Sequence, residues 1–230
     1  MRTIFFDFDG TLTKGCLPTW IMLNQIMKRN GAKVTGELYE MFMNGEIDYK
    51  EWCDLTIAKF KTYNITINDF NEVVANTKLI AGVQETFQKL KENGWRIHIL
   101  SGGISQVIRL ALGDALQFVD NISANEIYFK EDGSLDKIVA TKYDYKGKAE
   151  YVEEYMNATN SQKTECVFVG NGANDEFVST TGIHTICFNP DDTDPNNKEV
   201  WAHAFENSDN LQDTLPTILS IGEGKEEKII

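Results

Sequence analysis

The sequence predicts an α/β protein: a doubly wound parallel sheet carrying an inserted α-helical segment and a small β-hairpin flap. Three observations lead there. Four short apolar runs, TIFFDFD, WRIHILS, ECVFVGN and HTICFNP, are mostly separated by longer helical patterns, as a helix-covered parallel sheet requires. Residues 14–78 show helical patterns with no strand between them, which marks an insertion. EIYFKEDGSLDKIVA places Asp132-Gly133 between two strand-like runs, the signature of a tight hairpin turn.

Taken in order, the first run continues into IFFDFDGTLT, where Asp7 and Asp9 flank Phe8. Alternation along a strand puts the two carboxylates on one side and Phe8 on the other. In the insertion, TWIMLNQIMKRNG, ELYEMFMNG and DYKEWCDLTIAKFKTYN read as helices, the last opening with a capping box of Asp48 and Glu51. Trp20, Trp52, Met22, Met27, Met41 and Met43 fall at spacings expected of packing faces there. VQETFQKLKENG sets Val83, Phe87 and Leu90 on one face and stops at Gly94, just before the strand that begins at Trp95. Helices are likewise expected on ISQVIRLAL before Gly113, on YKGKAEYVEEY, and on ANDEFVSTT before Gly182. NPDDTDPNN, with Asp191, Asp192 and Asp194, reads as a solvated loop, and residues 223–230 as a flexible tail.

Composition narrows the function. The chain has 230 residues, 42% of them hydrophobic, enough for one good core. A formal net charge of -13 repels nucleic acids and anionic membranes, so an anionic substrate needs a local cation. No apolar run approaches bilayer-spanning length, and a strand begins within three residues of the N-terminus. The expectation is a cytoplasmic protein. Cys16, Cys53, Cys166 and Cys187 lack metal-binding or redox spacing and are expected as free thiols. His98, His184 and His203 are scattered and read as structural.

Parallel sheets bind ligands beyond the carboxyl ends of their strands. Here those ends carry Asp7 and Asp9, then Ser101-Gly102-Gly103, then Asn171 with Asp175. Singly, each fits a turn, an N-cap or a helix start. Together they describe phosphoryl transfer. Two adjacent carboxylates raise each other's proton affinity unless a cation joins them or one keeps its proton, which suggests a metal, an acid/base pair, or both. Asp7 can attack phosphorus, and Asp9 can protonate the leaving oxygen and later deprotonate water. Gly10 admits close backbone approach, amides from Phe8 to Gly10 can donate to phosphate, and Ser101 with Gly102 offers a second cradle. Lys146 is expected to hold Asp7 ionised and steady the transferring group.

In this order, DFDGTLT, ILSGG, YKGK and GNGANDEF resemble the motifs of the haloacid dehalogenase superfamily of aspartate-nucleophile phosphatases, most closely its phosphoserine phosphatase-like branch. The resemblance spans almost the whole chain. It implies a Rossmann-like core over residues 1–13 and 79–222, a helical cap over 14–78, and magnesium as cofactor. It also implies Asp7 as nucleophile, Asp9 as acid/base and backbone-carbonyl metal ligand, Ser101 and Lys146 as phosphate ligands, and a last motif that completes the metal site; because Lys146 matches the family spacing, Lys148 is expected to be a solvated helix residue.

Two departures stand out. Asn171 occupies the position where the family usually has a metal-binding aspartate; an amide brings no charge, so either a weaker site or direct ligation by Asp175 is expected. Cys16 and Asp54 align with the residues that grip the amine and carboxylate of phosphoserine, and neither suits that task, although Lys59 or Lys61 could substitute for the cap arginine. A phosphorylated alcohol or amine lacking a carboxylate fits Asp54 better. The sequence thus predicts a Mg2+-dependent phosphate-monoester hydrolase acting on a small phosphorylated metabolite, with no nucleic-acid or membrane partner. A catalytically impaired binding protein and a phosphotransferase are its rivals.

Overall fold

The computed structural model describes residues 1–33, 36–191, 196–197 and 199–224; Asp192, Asp194 and the tail from residue 225 lie outside these. One seven-stranded sheet organises the molecule, in the order β4-β3-β2-β1-β5-β6-β7. Its strands are β1 (Thr3–Phe6), β2 (Arg96–Ile104), β3 (Asn121–Phe129), β4 (Leu135–Val139), β5 (Cys166–Gly170), β6 (His184–Phe188) and β7 (His203–Phe205). All neighbours pair in parallel except β3 and β4.

β1 lies between β2 and β5, and every residue in it is buried. Period-two alternation sends Ile4 and Phe6 to one face, where they join Phe87 and Leu90 of α5 (Val83–Glu92), Ile108 of α6 (Ser105–Leu112) and Ile218 of α8 (Leu215–Gly222). Phe5 points to the other face, against Val152 and Met156 of α7 (Lys146–Thr159). Apolar packing on both faces is what makes the sheet doubly wound.

Residues 14–78 hold α1 (Thr19–Arg29), α2 (Glu37–Met43), α3 (Tyr49–Thr62) and α4 (Ile67–Asn76). Lys14 N donates to Lys78 O at 3.0 Å and Ile80 N to Leu12 O at 3.0 Å, so the chain enters and leaves this segment side by side. Met22, Leu23, Ile26, Met27, Phe60, Phe70 and Val73 form its core, joined by Ile104, Val107, Ile127 and Leu135. Met43, expected on a packing face, is 53% exposed, because α2 buries no residue. The capping box is present: Asp48 Oδ1 accepts from Glu51 N at 2.8 Å, and Glu51 Oε2 accepts from Asp48 N at 3.0 Å.

Four local details differ from or add to the expectation. The expected antiparallel hairpin is present as β3 and β4, and β3 also pairs in parallel with β2, which makes the hairpin part of the main sheet. Its opening, Asn121-Ile122-Ser123, is too polar to read as a core strand. Edge strand β7, three residues long, is too short to carry a strand pattern in the sequence. The expected α-helix after Asn171 is a 3-10 segment, Glu176–Thr181. There the hydroxyls of Ser179, Thr180 and Thr181 bond the carbonyls three residues back, competing with an α-helical ladder. Finally, β2 continues through Ser101-Gly102-Gly103, which lie within the strand rather than after it.

His98 on β2 is buried among Phe5, Tyr151 and Tyr155. Burial pushes its pKa from 6.5 down to about 4. Above pH 6.5 folded and unfolded chains both hold it neutral. Between pH 6.5 and about 4 the unfolded chain binds a proton that the folded chain refuses, so stability falls as pH falls through that window. Urea unfolding at pH 7 and pH 5 should show a smaller acid loss for His98→Phe than for the parent.

Candidate active site

The site forms where β1 and β5 end. Asp7 follows β1 directly, and its N–H donates to Val169 O at 2.9 Å, extending the pairing by one step. The strand has stopped by then, so Asp9 sits in the next turn rather than on the strand, a revision of the alternation argument. That turn winds around Phe8 O, which accepts from Leu12 N at 2.9 Å, while Phe8 itself is buried in the core. Gly10 has φ +84°, and a Cβ there would lie 2.5 Å from Asn171 Nδ2; the position needs glycine. Gly10 N is already engaged by Thr13 Oγ1 at 2.9 Å, so this amide is not free to donate to phosphate. Asp9 is aimed by the first turn of α1: its Oδ1 accepts from Thr19 N and Thr19 Oγ1, both at 3.3 Å.

The lysine at the site is Lys148, not Lys146. Lys148 is fully buried, its Nζ 2.9 Å from Asp7 Oδ1 and 2.5 Å from Asp175 Oδ1. Lys146 is exposed. The signal was present in the helix period: buried Val152 and Met156 lie four and eight residues after Lys148, so these three share the inward stripe of α7. The preceding Gly147 permits this approach, since a Cβ there would meet Lys142 O at 1.8 Å. Two carboxylates facing Lys148 offset its unfavourable place at a helix N-terminus.

Asp175 is wholly buried and fully occupied. Its Oδ1 meets Lys148, and its Oδ2 accepts from Asn171 N at 2.9 Å and Gly172 N at 3.1 Å. Direct metal ligation by Asp175 in compensation for Asn171 is therefore not what this geometry provides. Asn171 Oδ1 accepts from Thr11 Oγ1 at 3.1 Å. Ser101 is buried, with Oγ accepting from Gly103 N at 3.1 Å. Gly102 O receives Trp20 Nε1 and Asn125 Nδ2, each at 2.8 Å, tying α1 to β2. Thr11, Thr19, Trp20, Asp144 and Asn174 also belong to this neighbourhood. The sequence pattern marks Trp20 only for a packing face and gives no sign for the other four.

Asp54 and Cys16 lie elsewhere. Asp54 is an exposed partner of Lys50 at 2.6 Å, and Cys16 receives Lys78 N at 3.4 Å. Lys59 is paired with Glu37 at 2.6 Å, and Lys61 is exposed. The substrate preference expected from Asp54 therefore finds no support in its position, which is exposed and paired within α3.

Burial raises the Asp7 pKa to about 7, with Lys148 opposing and Asp175 and Asp9 adding to the rise. Burial also lifts Asp9 to about 6, against the two bonds from Thr19. For Lys148, burial opposes the ammonium, but Asp175, Asp7 and Asp144 overcome it and hold its pKa above that of a free lysine. Two desolvated carboxylates with raised proton affinity, beside an amide oxygen, can accept a cation. Among the described residues no three His, Cys, Asp or Glu side chains converge as a ligand set. The donors Asp7, Asp9 and Asn171 instead suit magnesium, which is usually held by one or two carboxylates and completed by substrate phosphate and water.

The ends of β1 and β5 thus gather paired aspartates, a buried lysine and an aspartate bonded to two backbone amides. The chain belongs to the haloacid dehalogenase-like hydrolase family, whose model matches residues 1–176. It is 26% identical over 190 residues to phosphoserine phosphatase SerB2 of Mycobacterium tuberculosis, covering 82% of this chain and 44% of that protein. It is 27% identical over 192 residues to a phosphoserine phosphatase of Archaeoglobus fulgidus, covering 82% of this chain and 52% of that one. The chain thus spans about half the length of these two curated relatives. A solved structure described as a phospho-aspartyl intermediate analogue of phosphoserine phosphatase superposes with a TM-score of 0.69 at 22% identity, covering 94% of this chain and 98% of that one. That likeness is one of fold.

Proposed function

We propose that the protein is a Mg2+-dependent phosphate-monoester hydrolase that acts on a small phosphorylated metabolite through an aspartyl-phosphate on Asp7. The observation that carries this is Lys148 Nζ held between Asp7 Oδ1 and Asp175 Oδ1, with Asp9 alongside. In this reading residues 1–13 and 79–222 form the catalytic core and 14–78 the cap.

Asp7 is the nucleophile: its oxygen forms a bond to phosphorus as the ester P–O bond breaks, and the leaving oxygen takes the proton of Asp9. Asp9, raised to about 6, is suited to carry that proton near neutral pH. The resulting carboxylate then deprotonates the water that cleaves the acyl phosphate. Lys148, rather than Lys146, keeps Asp7 anionic and bonds the transferring phosphoryl oxygens, while Ser101 and the Gly102 backbone cradle them. Asp175 orients Lys148 and the Asn171 loop. Asp7, the Asp9 carbonyl and Asn171 would hold magnesium, which when bound neutralises charge shared by phosphate and nucleophile. Among the described residues no helix is long and apolar enough to cross a membrane.

Phosphate release from a panel of small monoesters, with and without magnesium, tests this. Turnover that needs magnesium and disappears in Asp7→Asn is expected; turnover that survives in Asp7→Asn would remove the nucleophile from the scheme. Asn171 also supports a second reading, a catalytically impaired family member that binds its ligand without turnover. Asn171→Asp restores a charged ligand and should lower the magnesium concentration for half-maximal activity about tenfold. Activity confined to Asn171→Asp would favour the impaired reading. Transfer to an alcohol rather than to water is read from the products formed with competing alcohols present.

A further inference from the structure

Above the acid cluster, Asp144 and Tyr145 form a feature that phosphoryl transfer does not use. Asp144 Oδ1 accepts from Asn174 Nδ2 and Tyr145 N, both at 3.0 Å. Its Oδ2 lies where a Gly102 Cβ would be only 2.1 Å away, and it has no hydrogen-bond partner among the described residues. The carboxylate is close enough to Asp9 to raise that residue's proton affinity. Asp144 thus stands next to the acid that would serve the leaving group, with one oxygen uncommitted.

Tyr145 is held there against its backbone preference. Gly147 N closes a turn onto Asp144 O at 2.8 Å, and Tyr145 takes the first central position at φ +49°, ψ -122°. That position of a type II′ turn favours glycine. The side chain is kept by contacts with the insertion: its hydroxyl meets Tyr39 Oη at 2.7 Å and its ring lies 5.3 Å from Phe42. Phe42, Tyr49 and Trp52 extend this aromatic wall through ring contacts of 5.6 to 6.3 Å.

The charge balance points the same way. Carboxylates of Asp7, Asp9, Asp144 and Asp175 gather here, and among the described residues the cation acting on Asp7, Asp9 and Asp144 is Lys148. No guanidinium is available for a substrate carboxylate: Arg29 is committed to Glu72 and Asp69, and Arg2 to Gly222 O and the Trp95 ring, while Arg109 is exposed on α6 and Arg96 opens β2 at its amino end. A substrate carboxylate would add repulsion, whereas a substrate ammonium relieves it and can rest against aromatic faces.

We propose that the substrate is the phosphate monoester of a small amino alcohol without a carboxylate, its ammonium held by Asp144 Oδ2 and the Tyr145 aromatic wall. This rests on the phosphatase reading and names the substrate class of that same site.

The test compares kcat/KM for O-phosphoethanolamine, n-propyl phosphate and O-phosphoserine, with p-nitrophenyl phosphate reporting phosphatase activity as such. The amine ester should exceed each of the other two natural-type esters by about tenfold or more, and Asp144→Asn should bring the ratio of amine to propyl ester close to one. Tyr145→Gly, which suits the turn, should also shrink that ratio. Equal kcat/KM for the amine and propyl esters in the parent protein, or an unchanged ratio in Asp144→Asn, overturns the proposal. A protein that releases nothing, even from p-nitrophenyl phosphate, fails the phosphatase reading separately. Calorimetric binding to the Asp7→Asn protein with magnesium then decides the inference alone: tighter binding of O-phosphoethanolamine than of n-propyl phosphate supports it, and equal affinities overturn it.

Discussion

Lys148→Met is expected to reduce phosphate release by about a thousandfold or more, while Lys146→Met leaves it within about twofold. The contrast follows from placement. Lys148 is fully buried between Asp7 and Asp175, and Lys146 is exposed. Methionine preserves the stem's packing and deletes only the charge. Without it, Asp7 and Asp175 face each other in a desolvated site and the nucleophile gains a proton. Removing one partner of a buried ion pair also destabilises, by about 3–5 kcal/mol. This loss carries a pH signature. Asp7, raised by burial and held down by Lys148 in the parent, titrates further above its unfolded value in the variant, so the folded state binds a proton that the unfolded state has released. The deficit is small at low pH and grows as pH rises. Urea unfolding at pH 5 and pH 8 reads that slope, and a pH-independent deficit would mean the ion pair is not what Lys148 contributes.

Asp175→Asn should lower turnover by about a hundredfold and stability by about 3 kcal/mol. The carboxylate accepts on both sides, from Lys148 and from the amides of Asn171 and Gly172. A carboxamide has one accepting end, so whichever way it turns, an NH2 group faces a donor. If it keeps the amides, Lys148 loses a counter-charge and closes onto Asp7, and the nucleophile becomes a tighter ion-pair partner. If it keeps Lys148, the loop carrying Asn171 moves away from Gly10. Activity and magnesium affinity measured together separate the two: a fall in turnover at unchanged magnesium affinity indicates the first, and a fall in both indicates the second. Parent-like values for each would show that Asp175 is only a helix-start residue.

Much of this molecule was legible from its residues. The apolar runs at Ile4–Phe6 and Val167–Val169 announced central strands because a strand buried on both faces must be apolar throughout. Val83, Phe87 and Leu90 announced α5, and Asp48 with Glu51 announced the start of α3. Asp7 and Asp9 could be picked out because two carboxylates directly after a buried strand demand a partner. Other features carried weaker marks. The polar opening of β3 and the three-residue β7 look like loop until the rest of the sheet pairs with them. Of the two lysines in YKGK, the phase of Val152 and Met156 marks Lys148 as the inward one, whereas the motif's spacing points to Lys146.

What remained for tertiary structure is a matter of partners. Local pattern reports which face of an element is buried, through the period of its apolar side chains, but not what that face will meet. Lys148 reaches Asp7 across 141 residues of chain, and Asp175 across 27. Only the assembled sheet edge makes these three one electrostatic unit. The same holds for the insertion, where α1, α2 and α3 were evident but α4 was not, and neither was the aim of their polar residues. Asp54 turned to Lys50 at the surface, and Trp20 turned to the Gly102 carbonyl. Helix orientation depends on packing against Ile104, Val107, Ile127 and Leu135, residues far along the chain. Distances of a few ångströms between side chains so remote in sequence exist only once the core has closed.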